Sequence, residues 1–253
     1  MKRILISSTD SMMFLFLVPH VKNLIKKGYQ VDIACSLLPE FSSQSYITRI
    51  KKLVPSSCTV RCIRADRSPF SFQNYYGYKD LLKILANNKY DILWTNEPVI
   101  GFISRLAGRK FRHSGLKVLY MAHGLHFFSG GPLINYFFFP LEWVASKFTD
   151  SICVINKTDY KFSKKMFNIN VSHINGTGFE SSKYFNAHAF RSNVRDELGL
   201  KDNDTFLISV GELNKNKNHA IVIKALSYLK EHNIKYFICG VGDWNKKLKD
   251  LIV

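Results

Sequence analysis

The sequence has no apolar run long enough to cross a bilayer. Its N-terminus imitates a signal peptide, with Lys2-Arg3 before apolar residues, but Ser7–Asp10 interrupts that run and no small-residue cleavage site follows. The second apolar stretch, Leu133–Val144, contains Pro140 and Glu142 and is too short for a transmembrane helix. We therefore expect no membrane span, whereas contact with a membrane surface stays open.

Cysteine is scarce, and the five cysteines are an odd number. Three of them, Cys35, Cys153 and Cys239, lie in strand-like apolar runs, as buried thiols commonly do. Cys58 and Cys62 have no second pair of ligands at a metal-binding spacing, so no metal site is predicted. This usage of cysteine is typical of a reduced, cytoplasmic protein.

Acidic residues are few relative to basic ones. The chain has 19 Asp and Glu against 36 Lys and Arg, which gives a formal net charge of +17. Such a surplus suggests an anionic partner, namely nucleic acid, an acidic membrane face or a phosphorylated substrate. The basic residues are dispersed, and neither a recognition helix nor zinc-finger spacing accompanies them, so no nucleic-acid partner is predicted.

Apolar strand-like runs alternate with segments of helical spacing in the first part of the chain. Helices are predicted between the strands except between Gln30–Cys35 and Thr59–Arg64, and Ile134–Lys147 is one of them. This alternation is typical of a doubly wound parallel sheet. The predicted strands are Arg3–Ser8, Gln30–Cys35, Thr59–Arg64, Tyr90–Thr95, Lys117–Met121, Ser151–Ile155 and Asn170–Ile174.

A second cycle follows the sequence Gly176-Thr177-Gly178 and an irregular polar segment that reaches about Ala187. Its predicted strands, Thr205–Val210 and Lys235–Cys239, are each followed by a helical pattern. Two such units do not close a domain of this class. We predict an α/β fold with one complete Rossmann-like domain, residues 1–180, and the first half of a second Rossmann-like domain, residues 188–253.

The segment Ala122–Pro132 places two histidines and three glycines directly after the predicted strand Lys117–Met121. Ligands of open α/β sheets bind at the carboxyl ends of the strands. A neutral imidazole there can hydrogen-bond a ligand or stabilise developing charge, so His123 is the candidate catalytic residue. Gly124 is a candidate substrate-binding residue, because glycine permits close approach of a ligand. His126 is a further candidate because it lies in the same loop. The alternative for both histidines is a structural role in the loop.

Taken together, these features resemble the GT-B glycosyltransferases, in which two Rossmann-like domains are joined by a hinge. The chain resembles in particular the bacterial family 4 retaining enzymes that build capsular and exopolysaccharides. Their "AHGxHF…G-x-P", "YPxE-W", "tD.iI.IN..Dy", "G-x-G" and "vGEL…KNKNH" motifs recur here in the same order. They stand at Ala122–Pro132, Phe139–Trp143, Thr149–Tyr160, Gly176–Gly178 and Ser209–His219.

The resemblance implies transfer of a hexose or N-acetylhexosamine from a nucleotide diphosphate sugar, foremost a UDP-sugar, to a polyprenyl-diphosphate-linked saccharide. It implies acceptor binding by residues 1–180, donor binding by residues 188–253, and a donor-contacting histidine at His123. Glu97 follows a predicted strand, so its carboxylate is a candidate contact for acceptor hydroxyls. No cofactor is predicted, and the expected location is cytoplasmic, with peripheral binding to the inner face of the membrane.

The candidate nucleotide-binding residues follow the two strands of the second cycle. Lys217 should lie near a helix N-terminus, where the helix dipole and free N–H groups attract phosphate. The resemblance implies that a basic pair holds the diphosphate; Lys217 fits one member, and Glu212 replaces the arginine of many relatives. Gly211, Gly240 and Gly242 complete the set. The alternatives are a solvated lysine and ordinary tight turns.

Two motifs have both a structural and a functional interpretation. Asn156-x-x-Asp159 resembles a capping box, and we favour that structural role over ligand binding. The aromatic residues Phe127, Phe128 and Tyr136–Phe139 are typical of a core, but some of them can meet a lipid acceptor or the bilayer interface.

Relatives carry two glutamates, separated by seven residues, later in the donor-binding domain. No segment here matches that motif, because Glu231 is the last glutamate of the chain. The sequence therefore predicts truncation within the donor-binding domain. Two hypotheses follow: a glycosyltransferase that truncation has left inactive, or a non-catalytic remnant that binds the acceptor or a partner protein.

Overall fold

A computed structural model describes residues 1–11, 13–36, 38, 44–125, 127, 133–229 and 233–252. The chain divides into two compact units, Met1–Glu180 and Ser181–Val253. No helix in these ranges is both long and apolar enough to cross a membrane.

The first unit alternates strands and helices around one parallel sheet. The strands are β1 (Arg3–Ser8), β2 (Gln30–Ser36), β3 (Thr59–Ile63), β4 (Ile92–Asn96), β5 (Lys117–Ala122), β6 (Ser151–Val154) and β7 (Asn170–His173). The helices are α1 (Met13–Lys26), α2 (Gln44–Leu53), α3 (Gln73–Asn87), α4 (Pro98–Gly108), α5 (Phe139–Ser146) and α6 (Lys157–Met166). The strand order is β3-β2-β1-β4-β5-β6-β7, which confirms the predicted doubly wound sheet.

Helices cover both faces of this sheet at its centre. On one face, Ile4 and Ile6 of β1 pack into a cluster with Phe14 and Leu17 of α1. On the other face, Leu5 packs into a second cluster together with residues of α3 and α4. Because side chains alternate between the two faces of a strand, an apolar run such as that of β1 is buried along its whole length.

The predicted single helix over Ile134–Lys147 is wrong. A 3-10 helix, Leu133–Phe138, precedes α5, which begins only at Phe139. Pro140 lies in the first turn of α5, where a backbone N–H would have no partner within the helix, so proline removes no hydrogen bond there. Inside a longer helix, the same proline would remove one backbone hydrogen bond and break the helix. Helix α2 was not predicted at all.

The second unit has a two-stranded parallel sheet, in which β8 (Thr205–Val210) pairs with β9 (Ile234–Cys239). Its helices are α7 (Arg191–Glu197), α8 (His219–Ser227) and α9 (Asn245–Lys249), and two 3-10 turns, Ser181–Tyr184 and Ala187–Phe190, precede them. The expectation that Cys239 is buried is wrong, because this residue is exposed at the end of β9, whereas Cys35 and Cys153 are buried.

Candidate functional site

In the first unit, the candidate site lies where the strand order reverses. The chain passes from β1 outward to β2 and β3, then returns to β4 beside β1 and continues to β5. The loops that leave β1 and β4 therefore diverge, which is where ligands bind in open α/β sheets. Ser8 ends β1 and Thr9 follows it, and in the same way Asn96 ends β4 and Glu97 follows it.

Glu97 turns its carboxylate back onto the loop that follows β1. Its Oε2 accepts a hydrogen bond of 2.7 Å from the Thr9 backbone N–H and another from the Ser8 hydroxyl. The backbone of Glu97 has φ 61° and ψ 153°, a conformation that residues with a side chain rarely adopt. Such strain is characteristic of functional sites and persists only where the surrounding contacts enforce it.

His123 follows β5 and lies beside Asn96. The Asn96 amide donates through Nδ2 to the Ser7 carbonyl, 3.1 Å away, so its Oδ1 faces the His123 Nε2 at 3.3 Å. Nε2 is then the protonated nitrogen, and Nδ1 is left as the acceptor of the neutral ring. Burial lowers the pKa of His123 below its ordinary value of 6.5, which keeps the imidazole neutral at pH 7.

Asp159 positions the loop that carries His123, a role that sequence reasoning missed. Its Oδ2 accepts 2.9 Å from the Leu125 backbone N–H and 2.7 Å from the Asn156 amide. The Asn156 Oδ1 in turn accepts from the Asp159 N–H at 2.8 Å, which gives the N-terminal cap of α6. The expected cap is therefore present, and the same carboxylate also fixes the chain two residues after His123.

The structure describes only some of the other residues that were predicted near this edge. Gly124 has φ +147°, a backbone angle that favours glycine. His126 lies outside the described residues. Arg67 brings a positive charge to the loop after β1, because its guanidinium pairs with the Asp10 carboxylate at 2.7 Å.

In the second unit, the loops that follow β8 and β9 pack directly against each other. Gly211 donates to the Cys239 carbonyl at 3.0 Å, and Leu213 donates to the Val241 carbonyl at 2.9 Å. A Cβ on Gly240 would lie 1.8 Å from the Gly211 carbonyl oxygen, and one on Gly242 would lie 2.5 Å from that of Leu213. Contact between the loops thus requires both glycines, whatever else they do.

Lys217 and the first residue of α8 lie close to Gly211. The Lys217 Cγ and Cδ are each 3.7 Å from the position that a Gly211 Cβ would take. Asn218 precedes α8 in a left-handed conformation with φ 51°, and its side chain does not cap the helix. The helix N-terminus therefore keeps the hydrogen-bonding capacity that favours an anion. Glu212 is exposed in the same loop.

His219 of the second unit, like Asp159 of the first, is a residue whose role sequence reasoning missed. It is buried as the first residue of α8, and its Cε1 is 3.9 Å from the position of a Gly211 Cβ. Its Nε2 is buried and has no hydrogen-bond partner within the described residues. The sequence offered only the "KNKNH" motif as a signal for it.

No group of three or more His, Cys, Asp or Glu side chains that could hold a metal ion occurs within the described part of the chain. The two regions instead offer different chemistry. The first unit presents a neutral imidazole, an amide and a carboxylate, which suit hydroxyl groups. The second presents a lysine ammonium and an uncapped helix N-terminus, which suit phosphate.

Models of known protein families match both units of the chain. A family model described as "Glycosyl transferase 4-like" matches residues 3–156, and one described as "Glycosyl transferases group 1" matches residues 190–253. The first of these covers well over half of the chain.

Two curated relatives are similar over most of the chain. "Putative glycosyltransferase EpsD" of Bacillus subtilis (strain 168) is 35% identical over 182 residues, 70% of this chain and 48% of the relative. The Escherichia coli "UDP-Gal:alpha-D-GlcNAc-diphosphoundecaprenol alpha-1,3-galactosyltransferase" is 27% identical over 180 residues, 67% of this chain and 45% of the relative. The chain thus spans about half the length of the curated relatives that it matches.

A similar solved structure is that of Anabaena HepE in complex with UDP and glucose. It has a TM-score of 0.72 and 15% identity, and the match covers 100% of this chain and 66% of that one. At this identity the likeness shows the fold alone, and it confirms the predicted GT-B fold class with a partial second domain.

Proposed function

The chain belongs to the glycosyl transferase 4-like family, and we propose that it forms part of a glycosyltransferase for surface polysaccharide synthesis. In this proposal, residues 1–180 bind the acceptor and residues 188–253 bind a nucleotide diphosphate sugar. The observation that carries the proposal is the group of Glu97, Asn96 and His123 at the point where the strand order reverses.

The proposed substrates follow from the relatives and from the charge of this chain. The name of the E. coli relative gives UDP-Gal as donor and a GlcNAc-diphosphoundecaprenol as acceptor, and the Anabaena protein was solved with UDP and glucose. We propose a UDP-hexose or UDP-N-acetylhexosamine as donor and a polyprenyl-diphosphate-linked saccharide as acceptor. Both carry diphosphate, which suits a chain with a net charge of +17.

Within the first unit, His123 is proposed to contact the donor sugar. Its protonated Nε2 is oriented by Asn96, so Nδ1 is left to accept a hydrogen bond from a sugar hydroxyl. Glu97 is proposed to bind acceptor hydroxyls through its carboxylate, and Gly124 to let a sugar approach the backbone. His126 is proposed as a further sugar contact from its sequence position alone.

Within the second unit, Lys217 and the N-terminus of α8 are proposed to bind the diphosphate. Gly211 and Glu212 lie in the loop that leads to this helix, and Gly240 and Gly242 shape the neighbouring loop. The anomeric configuration is proposed to be retained, as the resemblance to family 4 enzymes implies.

A transfer assay tests the role of His123. Radiolabelled UDP-sugars and a polyprenyl-diphosphate-linked N-acetylhexosamine are incubated with the wild type, His123→Ala and the exposed control His113→Ala. Loss of one preorganised hydrogen-bonding group costs about a hundredfold in kcat. We expect that loss for His123→Ala and unchanged turnover for His113→Ala. Equal, measurable rates for all three proteins would contradict the assignment, whereas absence of transfer by the wild type would favour an inactive or non-catalytic chain.

Nucleotide binding tests the site proposed in the second unit. Calorimetry with UDP should show binding that Lys217→Ala weakens at least tenfold, since a hydrogen bond to a charged group contributes about 1.5–3 kcal/mol. Lys224→Ala, on α8 but beyond its first turn, is the matched control. UDP binding without transfer to any acceptor would fit an inactive glycosyltransferase, and absence of UDP binding would contradict the nucleotide site and favour the alternative, a non-catalytic chain that binds the acceptor or a partner protein.

A further inference from the structure

Two cysteines lie side by side on neighbouring strands of the first sheet. Cys35 of β2 and Cys62 of β3 are direct partners in the parallel register. Each is the last residue but one of its strand, so the pair lies at the carboxyl edge of the sheet, where the candidate site also lies. Cys153 and Cys239, the other cysteines within described strands, have no cysteine beside them in the register.

The two side chains point to the same face of the sheet. Ile33 and Val60 form the register pair two residues earlier, and both pack into the cluster with α1. Because a strand returns to the same face after two residues, Cys35 and Cys62 share that face. Cys35 is buried in the cluster, whereas Cys62 is exposed. One thiol of the pair is therefore open to solvent and the other lies directly behind it.

The two thiols also interact electrostatically. Burial and the neighbouring Cys62 raise the pKa of the Cys35 thiol to about 12, and the Lys51 ammonium of α2 opposes this only in part. Cys35 therefore stays protonated at neutral pH. The exposed Cys62 is the thiol that meets a dissolved oxidant first.

The spacing of the strands suits a disulfide between these residues. Neighbouring strands lie about 4.8 Å apart, and a disulfide joins Cα atoms that are about 4.4–6.8 Å apart. Its Cβ atoms must lie within about 3.5–4.5 Å, so the two strands have to approach slightly. The strand β3 can do so because it is the edge strand and pairs only with β2. Any strain that remains makes the bond easier to reduce, so we expect it to be reversible.

Cys58, the third cysteine of this region, is not a competing partner. It is buried and lies four residues before Cys62. Four residues of extended chain span about 13 Å. Cys35 stands beside Cys62, so Cys58 is at least as far from it. Cysteines with Cα atoms more than about 7 Å apart cannot be bridged unless the backbone moves.

We propose that Cys35 and Cys62 form a redox modification site, which hydrogen peroxide converts into a reversible disulfide. The Cys62 sulfur takes one oxygen from the peroxide and becomes a sulfenic acid, while the other oxygen leaves as water with the thiol proton. The Cys35 sulfur then attacks the Cys62 sulfur, and the sulfenic oxygen leaves as a second water with the Cys35 proton. The two thiols together lose two electrons and two protons, which reduce one peroxide to two waters.

Peptide mapping tests the proposal without any sugar substrate, so its outcome is independent of the proposed function. The wild type, Cys62→Ser and the control Cys239→Ser are treated with hydrogen peroxide, alkylated and digested without reduction. Cys239 is exposed too, but its register partner is Val210. We expect peptides joined through Cys35 and Cys62 in the wild type and in Cys239→Ser, and none in Cys62→Ser. Titration of unfolded Cys239→Ser should show the loss of two thiols, which dithiothreitol restores.

Trapping the sulfenic acid tests the role of Cys35. Dimedone reacts with sulfenic acids, so it should label Cys62 at least about fivefold more in Cys35→Ala than in the wild type, where the disulfide removes the intermediate. Equal labelling would overturn the proposal. So would the absence of the linked peptides at a peroxide dose that oxidises Cys239, or a bridge from Cys62 to Cys58. Should Cys35→Ala not fold, as judged by circular dichroism, the mapping of Cys62→Ser, which changes only an exposed side chain, decides.

Discussion

The two units of this molecule bury their parallel strands to very different extents. In the first unit, β1 and β2 are buried from their second residue onward, and helices cover both faces of the sheet. In the second unit, no residue of β8 or β9 is fully buried, and Ile208 and Val210 are 51% and 79% exposed. Similar strand-like sequences therefore differ in burial, because burial depends on the neighbouring elements and not on the strand alone.

The units also differ in how they hold charge. All ion pairs among the described residues lie in the first unit, and two of them converge on the fully buried Asp32. Burial would raise the pKa of Asp32, but hydrogen bonds from Tyr90, Arg61 and Arg3 outweigh it and hold that pKa below its ordinary value. The first unit thus depends on satisfied buried charge, which makes it sensitive to the loss of single partners.

The largest expected effect follows from breaking one buried pair. The buried Arg105 guanidinium donates to both Glu142 carboxylate oxygens at 2.8 and 2.9 Å. Arg105→Met leaves Glu142 buried without its partner and should lower the free energy of unfolding of the first unit by about 3–5 kcal/mol. Urea denaturation measures this loss. The control Arg64→Met removes the partner of Asp80 at a site that is 53% exposed, where a pair contributes at most about 1 kcal/mol. Similar losses for both variants would contradict the contrast between buried and exposed charge.

Hydrogen exchange compares the units directly. Amides of β1 and β4 should exchange at least about a hundredfold more slowly than those of β8 and β9, because sparse burial permits local opening. Limited proteolysis should leave a stable fragment of the first unit, whereas residues beyond about Ala187 should be marginally stable. Uniform protection of both sheets in a monomeric sample would show that the exposed strands are as stable as the buried ones.

A single methyl group should destabilise only the second unit. Gly240→Ala places a Cβ 1.8 Å from the Gly211 carbonyl oxygen, so the two loops must separate, at a cost of about 1–3 kcal/mol. Gly211→Ala is the matched control, since its Cβ would meet Lys217 only at an ordinary 3.7 Å. Proteolysis of residues 188–253 reports the effect. Equal resistance of both variants would contradict the proposed steric requirement.

The smallest effect concerns pH and His123. Its pKa in the folded state lies below the ordinary value of 6.5, so the unfolded chain takes up the proton more readily. The resulting contribution to stability is present above about pH 6.5 and is lost as the pH falls toward the folded-state pKa. We expect denaturation between pH 7.5 and 5.5 to show a steeper loss for the wild type than for His123→Asn. Parallel curves would contradict the lowered pKa.

The sequence predicted the fold of the first unit well, because parallel strands buried on both faces stand out as continuous apolar runs. Helix α2 was missed, although Ile47 and Ile50 recur at helical spacing and are buried in the cluster with α1. The predicted helix over Ile134–Lys147 failed at Pro140, whose effect depends on where the helix begins.

The sequence predicted the candidate site only through the ends of the predicted strands, which give the approximate positions of the residues that follow them. His123 and Glu97 follow β5 and β4, and the pattern places both at one edge of the sheet. The roles of Asp159 and His219 were not predictable in the same way. Asp159 acts on Leu125, 34 residues earlier in the chain, and His219 contacts the loop at Gly211. Both contacts depend on loop conformations that local patterns do not encode.

The position of the Glu97 carboxylate affects which chemical groups the crevice of the first unit can receive. The Thr9 N–H and the Ser8 hydroxyl are the donors that an incoming anion would need, and Glu97 already occupies both. A phosphate that approaches therefore meets a negative charge, while a hydroxyl group finds an acceptor. Binding of an anion at these two donors would therefore require the Glu97 side chain to move away first.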